Sequence, residues 1–139
     1  MNKKQTQTVE LEQLAAKAQC GRMEQAPALQ LISSKDTLAD FLTNKQAFGQ
    51  PSAKIPPVDF TTETLVVVQM GQRPSAGYSL ELTQTQAEIN ESRLELPVVE
   101  TPPDPDRMHA SMLTDPCLLI KIKSKQFNEV SALGVAVAI

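Results

Sequence analysis

The run Leu65-Val66-Val67-Val68-Gln69-Met70-Gly71-Gln72-Arg73-Pro74-Ser75-Ala76-Gly77-Tyr78-Ser79-Leu80-Glu81-Leu82 changes character twice. Its first part is continuous and β-branched, which suits a strand buried on both faces. Its last part alternates Tyr78, Leu80 and Leu82 with Ser79, Glu81 and Thr83, so one face of a second strand is apolar and the other wet. Between them Gly71 and Gly77 can supply the positive φ that a compact turn demands. The centre of the chain is therefore read as two strands joined by a short, conformationally restricted excursion.

Working outward, the alternation recurs at Leu94, Leu96 and Val98, and again at Leu118, Ile120 and Ile122. A small apolar strand closes the sequence at Gly134-Val135-Ala136-Val137-Ala138-Ile139. Short polar connections at Gln84 to Gln86 and Asn90 to Ser92 suggest antiparallel hairpins, and strands do not alternate regularly with helices as a parallel doubly wound sheet would require. Toward the N-terminus the period changes. Leu11, Leu14, Ala15 and Ala18 fall at three- and four-residue spacing and predict a short helix that Gly21 can end. Leu29 to Ile32 reads as a strand, and Ser33 and Ser34 can cap a second helix carrying Leu38, Phe41 and Leu42, with Asp36 in its first turn and Lys45 near its end. Gly49 and Pro51 stop it, and Gln50 to Pro57 reads as a proline-rich linker. The expected fold is α+β: an antiparallel β-sheet or partly open sandwich with two short N-terminal helices. Residues 1–26 would be a helical arm and residues 27–139 a single domain.

With 139 residues, the chain has room for one core. Apolar residues at 41% and charged residues at 21% are those of a globular protein. A net charge of -3 provides no basic footprint for nucleic acid. No run of eighteen apolar residues exists to form a membrane-spanning helix. The basic start Met1 to Thr8 is not followed by the apolar stretch of a secretory signal, which leaves either a cytosolic chain or one whose leader lies outside the sequence. Cys20 and Cys117 lack metal-ligand spacing and are either a disulfide or two separately buried thiols.

A second excursion spans Glu100 to Pro116 and carries Pro102, Pro103, Pro105 and Pro116 among Asp104, Asp106, Arg107, His109 and Asp115. A connection of this length in a small domain is usually functional or disordered, and its prolines favour a semi-rigid form. His109, Ser111 and Asp106 are the residue types of a nucleophilic triad, but they crowd one short segment where mutual geometry is hard to achieve. Glu100, Asp104, Asp106 and Asp115 lack the ordered spacing of a calcium loop. Gly71 and Gly77 are not followed by the Lys-Ser/Thr of a phosphate-binding loop. Met70, Met108 and Met112 are read as packing residues or a soft partner-binding surface. The chain is expected to be no enzyme and to hold no cofactor and no metal.

The segments Leu65 to Gly71 and Arg73 to Leu82, with Leu94 to Glu100 and Met112 to Ile122, resemble the PrcB C-terminal-like domain family over about 60 residues. In that family a hydrophobic strand ends in Gly, a Pro-containing turn leads to Gly-Tyr, and a second strand follows. Its usual Thr-x-Pro-Tyr stands here as Thr114-Asp115-Pro116-Cys117, with Cys117 in place of the aromatic. The resemblance implies a non-catalytic bacterial envelope or periplasmic protein-binding module, the namesake being a lipoprotein that associates with a surface protease complex and supports its stability. The implied partner is a protein, such as a protease. Arg73, Pro74, Ser75, Ala76, Gly77, Tyr78, Asp104, Asp106, Arg107 and His109 are the candidate contact residues. The turn Arg73 to Tyr78 also looks like the Pro-Thr-Thr-Gly-Tyr loop of chagasin-like cysteine protease inhibitors, which gives peptidase blockade as the alternative; a hydrolase centred on His109 is the second alternative.

Overall fold

The computed structural model describes residues 6–17, 20, 23–44 and 57–139. The described chain contains strands β1 (Thr6–Lys17), β2 (Ala28–Ile32), β3 (Thr64–Gln69), β4 (Ser79–Leu82), β5 (Gln86–Asn90), β6 (Arg93–Glu95), β7 (Val98–Thr101), β8 (Cys117–Ile122), β9 (Glu129–Ala132) and β10 (Val135–Ala138), with one helix, α1 (Lys35–Asn44). Eight strands form one sheet in the order β10-β9-β6-β5-β1-β8-β3-β2, and β4 and β7 form a separate ribbon. The two ends of the eight-stranded order approach each other, with Leu29 and Leu31 of β2 and Val137 of β10 packed on the same core, so the sheet is a nearly closed barrel. The fold is nearly all β, and the α+β expectation with two helices is corrected.

The correction turns on β1. Residues read as a helical arm are a strand inside the sheet, because Val9 and Leu11 are buried while Thr8, Glu10 and Glu12 face solvent, a period of two. The helical spacing of Leu11, Leu14 and Ala15 arises from a bulge: pairing passes from Gln13↔Ile120 to Ala15↔Leu119 and leaves Leu14 extra. Ala18, Gln19 and Gly21, which completed the helix reading, lie outside the described residues, as do Lys45, Gly49, Pro51 and all but the last residue of the expected linker. The N-terminal half of β1 pairs with β5 (Thr6↔Asn90 to Glu10↔Gln86) and its C-terminal half with β8 (Leu11↔Ile122 to Lys17↔Cys117). One long strand thereby joins β5-β6-β9-β10 to β8-β3-β2.

The core has two layers, and β3 and β8 separate them. Val66, Val68, Leu118, Ile120 and Ile122 point into the barrel with Val9, Leu11, Ile89, Leu94 and Val130. On the other side, Leu65, Val67 and Leu119 pack with Ile32, Leu38, Phe41 and the two cysteines. A strand covered on both faces reads as a continuous apolar run, which is why β3 was legible, whereas β8 was legible by its alternation of Leu118, Ile120 and Ile122. Helix α1 starts where the sequence places it: the Thr37 backbone N–H donates to Ser34 Oγ at 3.1 Å. Lys17 Nζ donates to the Phe41 carbonyl oxygen at 3.3 Å and lies 4.2 Å from the centre of the Phe41 ring, fastening α1 to the end of β1.

Leu94, Leu96 and Val98 do not form one strand. Pro97 has no N–H to continue the ladder, and the Val98 N–H folds back on the Leu96 carbonyl at 2.9 Å, so the chain leaves the barrel after β6 and enters the ribbon as β7. The hairpin at Asn90 to Ser92 forms as expected, with Glu91 (φ 53) and Ser92 (φ 68) in the left-handed region of a primed turn. Among the described strands, only β9 pairs in parallel, with β6.

Candidate functional site

The turn between β3 and β4 and the excursion between β7 and β8 lie against each other and are braced at several levels. At the root, the Met70 N–H donates to the Pro116 carbonyl at 2.9 Å, and the Gly71 N–H donates to Asp115 Oδ1 at 3.1 Å. Asp115 is 1% exposed, so this carboxylate is spent on backbone rather than on solvent. One step out, Arg73 and Thr114 exchange backbone bonds of 2.7 and 2.9 Å. Thr114 Oγ1 donates to the Ser75 carbonyl at 3.0 Å, and the Ala76 N–H donates to the Ala110 carbonyl at 3.0 Å. Gly77 (φ 99) has no room for a side chain: a Cβ there would sit 2.7 Å from His109 Nδ1 and 2.8 Å from Pro103 Cβ.

A third segment joins them. The Gln72 N–H donates to the Glu24 carbonyl at 2.8 Å, and Arg73 Nη1 donates to the Gln25 carbonyl at 3.0 Å. Arg73 also grips Glu100 with two bonds of 3.3 Å, a bidentate pair that ties the turn to β7. Cys20, just before this segment, is disulfide-bonded to Cys117, and its N–H donates to the Asp115 carbonyl at 2.9 Å. The thiol alternative is thereby resolved. Cys117 stands at the aromatic position of the resembled motif, and its sulfur ties β8 to residue 20.

The structure thus brings Arg73, Ser75, Ala76, Gly77 and His109 into one braced ledge. Pro74 is exposed at its surface, and Tyr78 is half-buried against the barrel core beneath. Asp104, Asp106, Arg107 and His109 form a tight turn around one residue. Asp104 Oδ1 accepts from the Asp106 N–H at 2.9 Å, and the Asp104 carbonyl accepts from the Arg107 N–H at 3.1 Å and from His109 Nε2 at 2.9 Å. His109 therefore holds the Asp104 carbonyl and sits against Gly77, whereas the triad reading placed it with Ser111 and Asp106. Of the methionines read as packing residues or a soft surface, Met70 packs in the barrel while Met108 and Met112 are exposed, alongside Leu113.

Sequence reasoning did not single out Glu24, Gln25 and Ala110, which act through backbone carbonyls and leave no side-chain signal. Thr114 opens the quoted Thr114-Asp115-Pro116-Cys117 stretch, but its burial and its bond to the Ser75 carbonyl show only in the structure. No helix among the described residues is long and apolar enough to cross a membrane. No curated protein and no solved structure gives a significant match to the chain. Residues 64–123, which supply both braced excursions and the strands that carry them, match the family model described as PrcB C-terminal, and this match supports a PrcB C-terminal-like domain in this part of the chain.

Proposed function

We propose that the braced ledge is the docking surface of a non-catalytic, protease-complex-associated module of the bacterial envelope. The observation that carries this reading is the cross-bracing itself. Two excursions, fixed to each other by the Arg73 and Thr114 backbone pair and to residues 24–25 by Arg73, hold Pro74, Met108, Met112 and Leu113 out in solvent at set positions. A partner meeting such a surface finds its apolar contacts already ordered, which lowers the entropy lost on association. The family match supports the protease-complex context. The disulfide supports an oxidising compartment, since such bonds are rare in reducing cytosol. The inhibitor alternative needs free backbone groups on the 73–76 turn, yet the Arg73 N–H and carbonyl and the Ala76 N–H already serve Thr114 and Ala110, which favours docking over cleft insertion.

The test is site-specific photocross-linking in the native organism, with the probe at position 108 and, as control, at Glu88 on the far strand β5. A protease-complex component captured from 108, absent from 88 and lost in the Gly77→Ala background, is the expected result. Identical products from both positions would end the proposal.

A further inference from the structure

Met108 is 100% exposed, Met23 83% and Met112 47%, whereas Met70 is 0% exposed. An apolar side chain wholly in solvent is ordinarily found on a loose tip, but Met108 stands on fixed ground. Both its neighbours are tied to the same carbonyl, Asp104 O, by the Arg107 N–H at 3.1 Å and by His109 Nε2 at 2.9 Å. Behind them His109 is backed by Gly77 and Pro103. The thioether stands just past the turn, between two residues fixed to Asp104, and is open to solvent on every side.

We propose that Met108 is a reversible oxidation site, taking an oxygen atom from hydrogen peroxide, with Met23 and Met112 following more slowly. A lone pair on Met108 Sδ attacks one peroxide oxygen and the O–O bond breaks. The released hydroxide removes the proton from the new S–OH group and leaves as water. Sulfur is oxidised by two electrons and the peroxide is reduced by two, giving the sulfoxide. The product replaces a soft apolar tip by a polar, hydrogen-bond-accepting one. Because Met108 buries nothing in the fold, the change alters the ledge's surface and leaves its bracing intact. This inference concerns the free protein and stands apart from the docking proposal.

The experiment treats the native protein with limiting hydrogen peroxide, follows each methionine by peptide mass spectrometry, and repeats the treatment in denaturant. Met1, outside the described residues, is followed as a separate peptide. The expected order is Met108, then Met23, then Met112, with Met108 reacting roughly tenfold or more faster than Met70. In denaturant the four rates should converge. Protein oxidised at Met108 alone should keep its thermal midpoint and the slow hydrogen exchange of the Ala76 amide, and methionine sulfoxide reductases should restore the original mass. Met108→Leu should remove the fast phase alone. Comparable native rates for Met108 and Met70 would overturn the proposal, and so would a lowered midpoint after oxidation at Met108.

Discussion

The inner and outer parts of the ledge are built by opposite rules. Near β3 and β8, Gly71, Thr114 and Asp115 are buried, and each polar group named there has a backbone partner. A few residues farther along the same excursion, Met108, Met112 and Leu113 are apolar and lie in water. Polar groups inside and apolar groups outside invert the usual arrangement, and the inversion is informative. The inner part satisfies hydrogen bonds so that the outer part can stay exposed without collapsing. Stability should therefore depend on the inner residues and be nearly indifferent to the outer ones.

The largest expected effect is at Gly71. Its φ of 95° lies in the left-handed region, and an added Cβ would meet the Gln25 carbonyl group and, at 2.9 Å, the Ala26 oxygen. Both obstacles are backbone and cannot rotate aside. Gly71→Ala should cost about 3 kcal/mol, of which ~1–2 is conformational strain, and lower the melting midpoint by several degrees in calorimetry. A midpoint unchanged within a degree would show that residues 24–26 do not clamp the turn.

Asp115→Ala comes next. It leaves the Gly71 N–H buried without its acceptor, a loss of about 1–3 kcal/mol, whereas Asp115→Asn keeps an oxygen at the same place and should retain most of the stability. Equal losses for both substitutions in chemical denaturation would mean that negative charge, rather than an acceptor, is what Gly71 requires. Gly77→Ala acts one level out. Its strain of about 1–2 kcal/mol should loosen the contact with Pro103 and His109 and speed hydrogen exchange at Ala76, with β3 and β8 unaffected. Adding His109→Ala opens space beside the new methyl and should recover part of the exchange protection.

The same contrast explains what the sequence disclosed. Strand β3 was readable because burial on both faces leaves an unbroken apolar run, strand β8 because Leu118, Ile120 and Ile122 alternate with Leu119 and Lys121, and the two excursions because glycine and proline mark them. The partnership between the excursions was not readable, since it runs through the backbone of Ala110, Gln25 and Glu24 and through Asp115, whose carboxylate looks like any loop acid until Gly71 is placed beside it. Strand β1 was misread for a different reason. One extra residue at Leu14 converts a two-residue period into the three- and four-residue spacing of a helix, and Ala15 and Ala16, which follow the bulge, carry no strand signature. That strand lies outside residues 64–123, yet it pairs with β5 on one side and β8 on the other, so the family match covers the ledge but omits the strand that joins the two parts of its sheet.

The smallest expected effects mark the outer boundary of the braced region. Arg73→Ala should cost roughly 1 kcal/mol, because its side chain is partly shielded and serves Glu100 and Gln25 together, although exposed ion pairs alone contribute less. Met108→Ser should then change the denaturation midpoint by nothing measurable, within about 0.5 kcal/mol, since the side chain is fully exposed. Its consequence belongs to binding: photocross-linking from the adjacent Met112 should weaken in Met108→Ser while the folded fraction stays the same. Loss of stability in Met108→Ser would reverse the contrast, showing that the exposed tip supports the fold after all; unchanged cross-linking would confine the contact surface to the 73–76 turn.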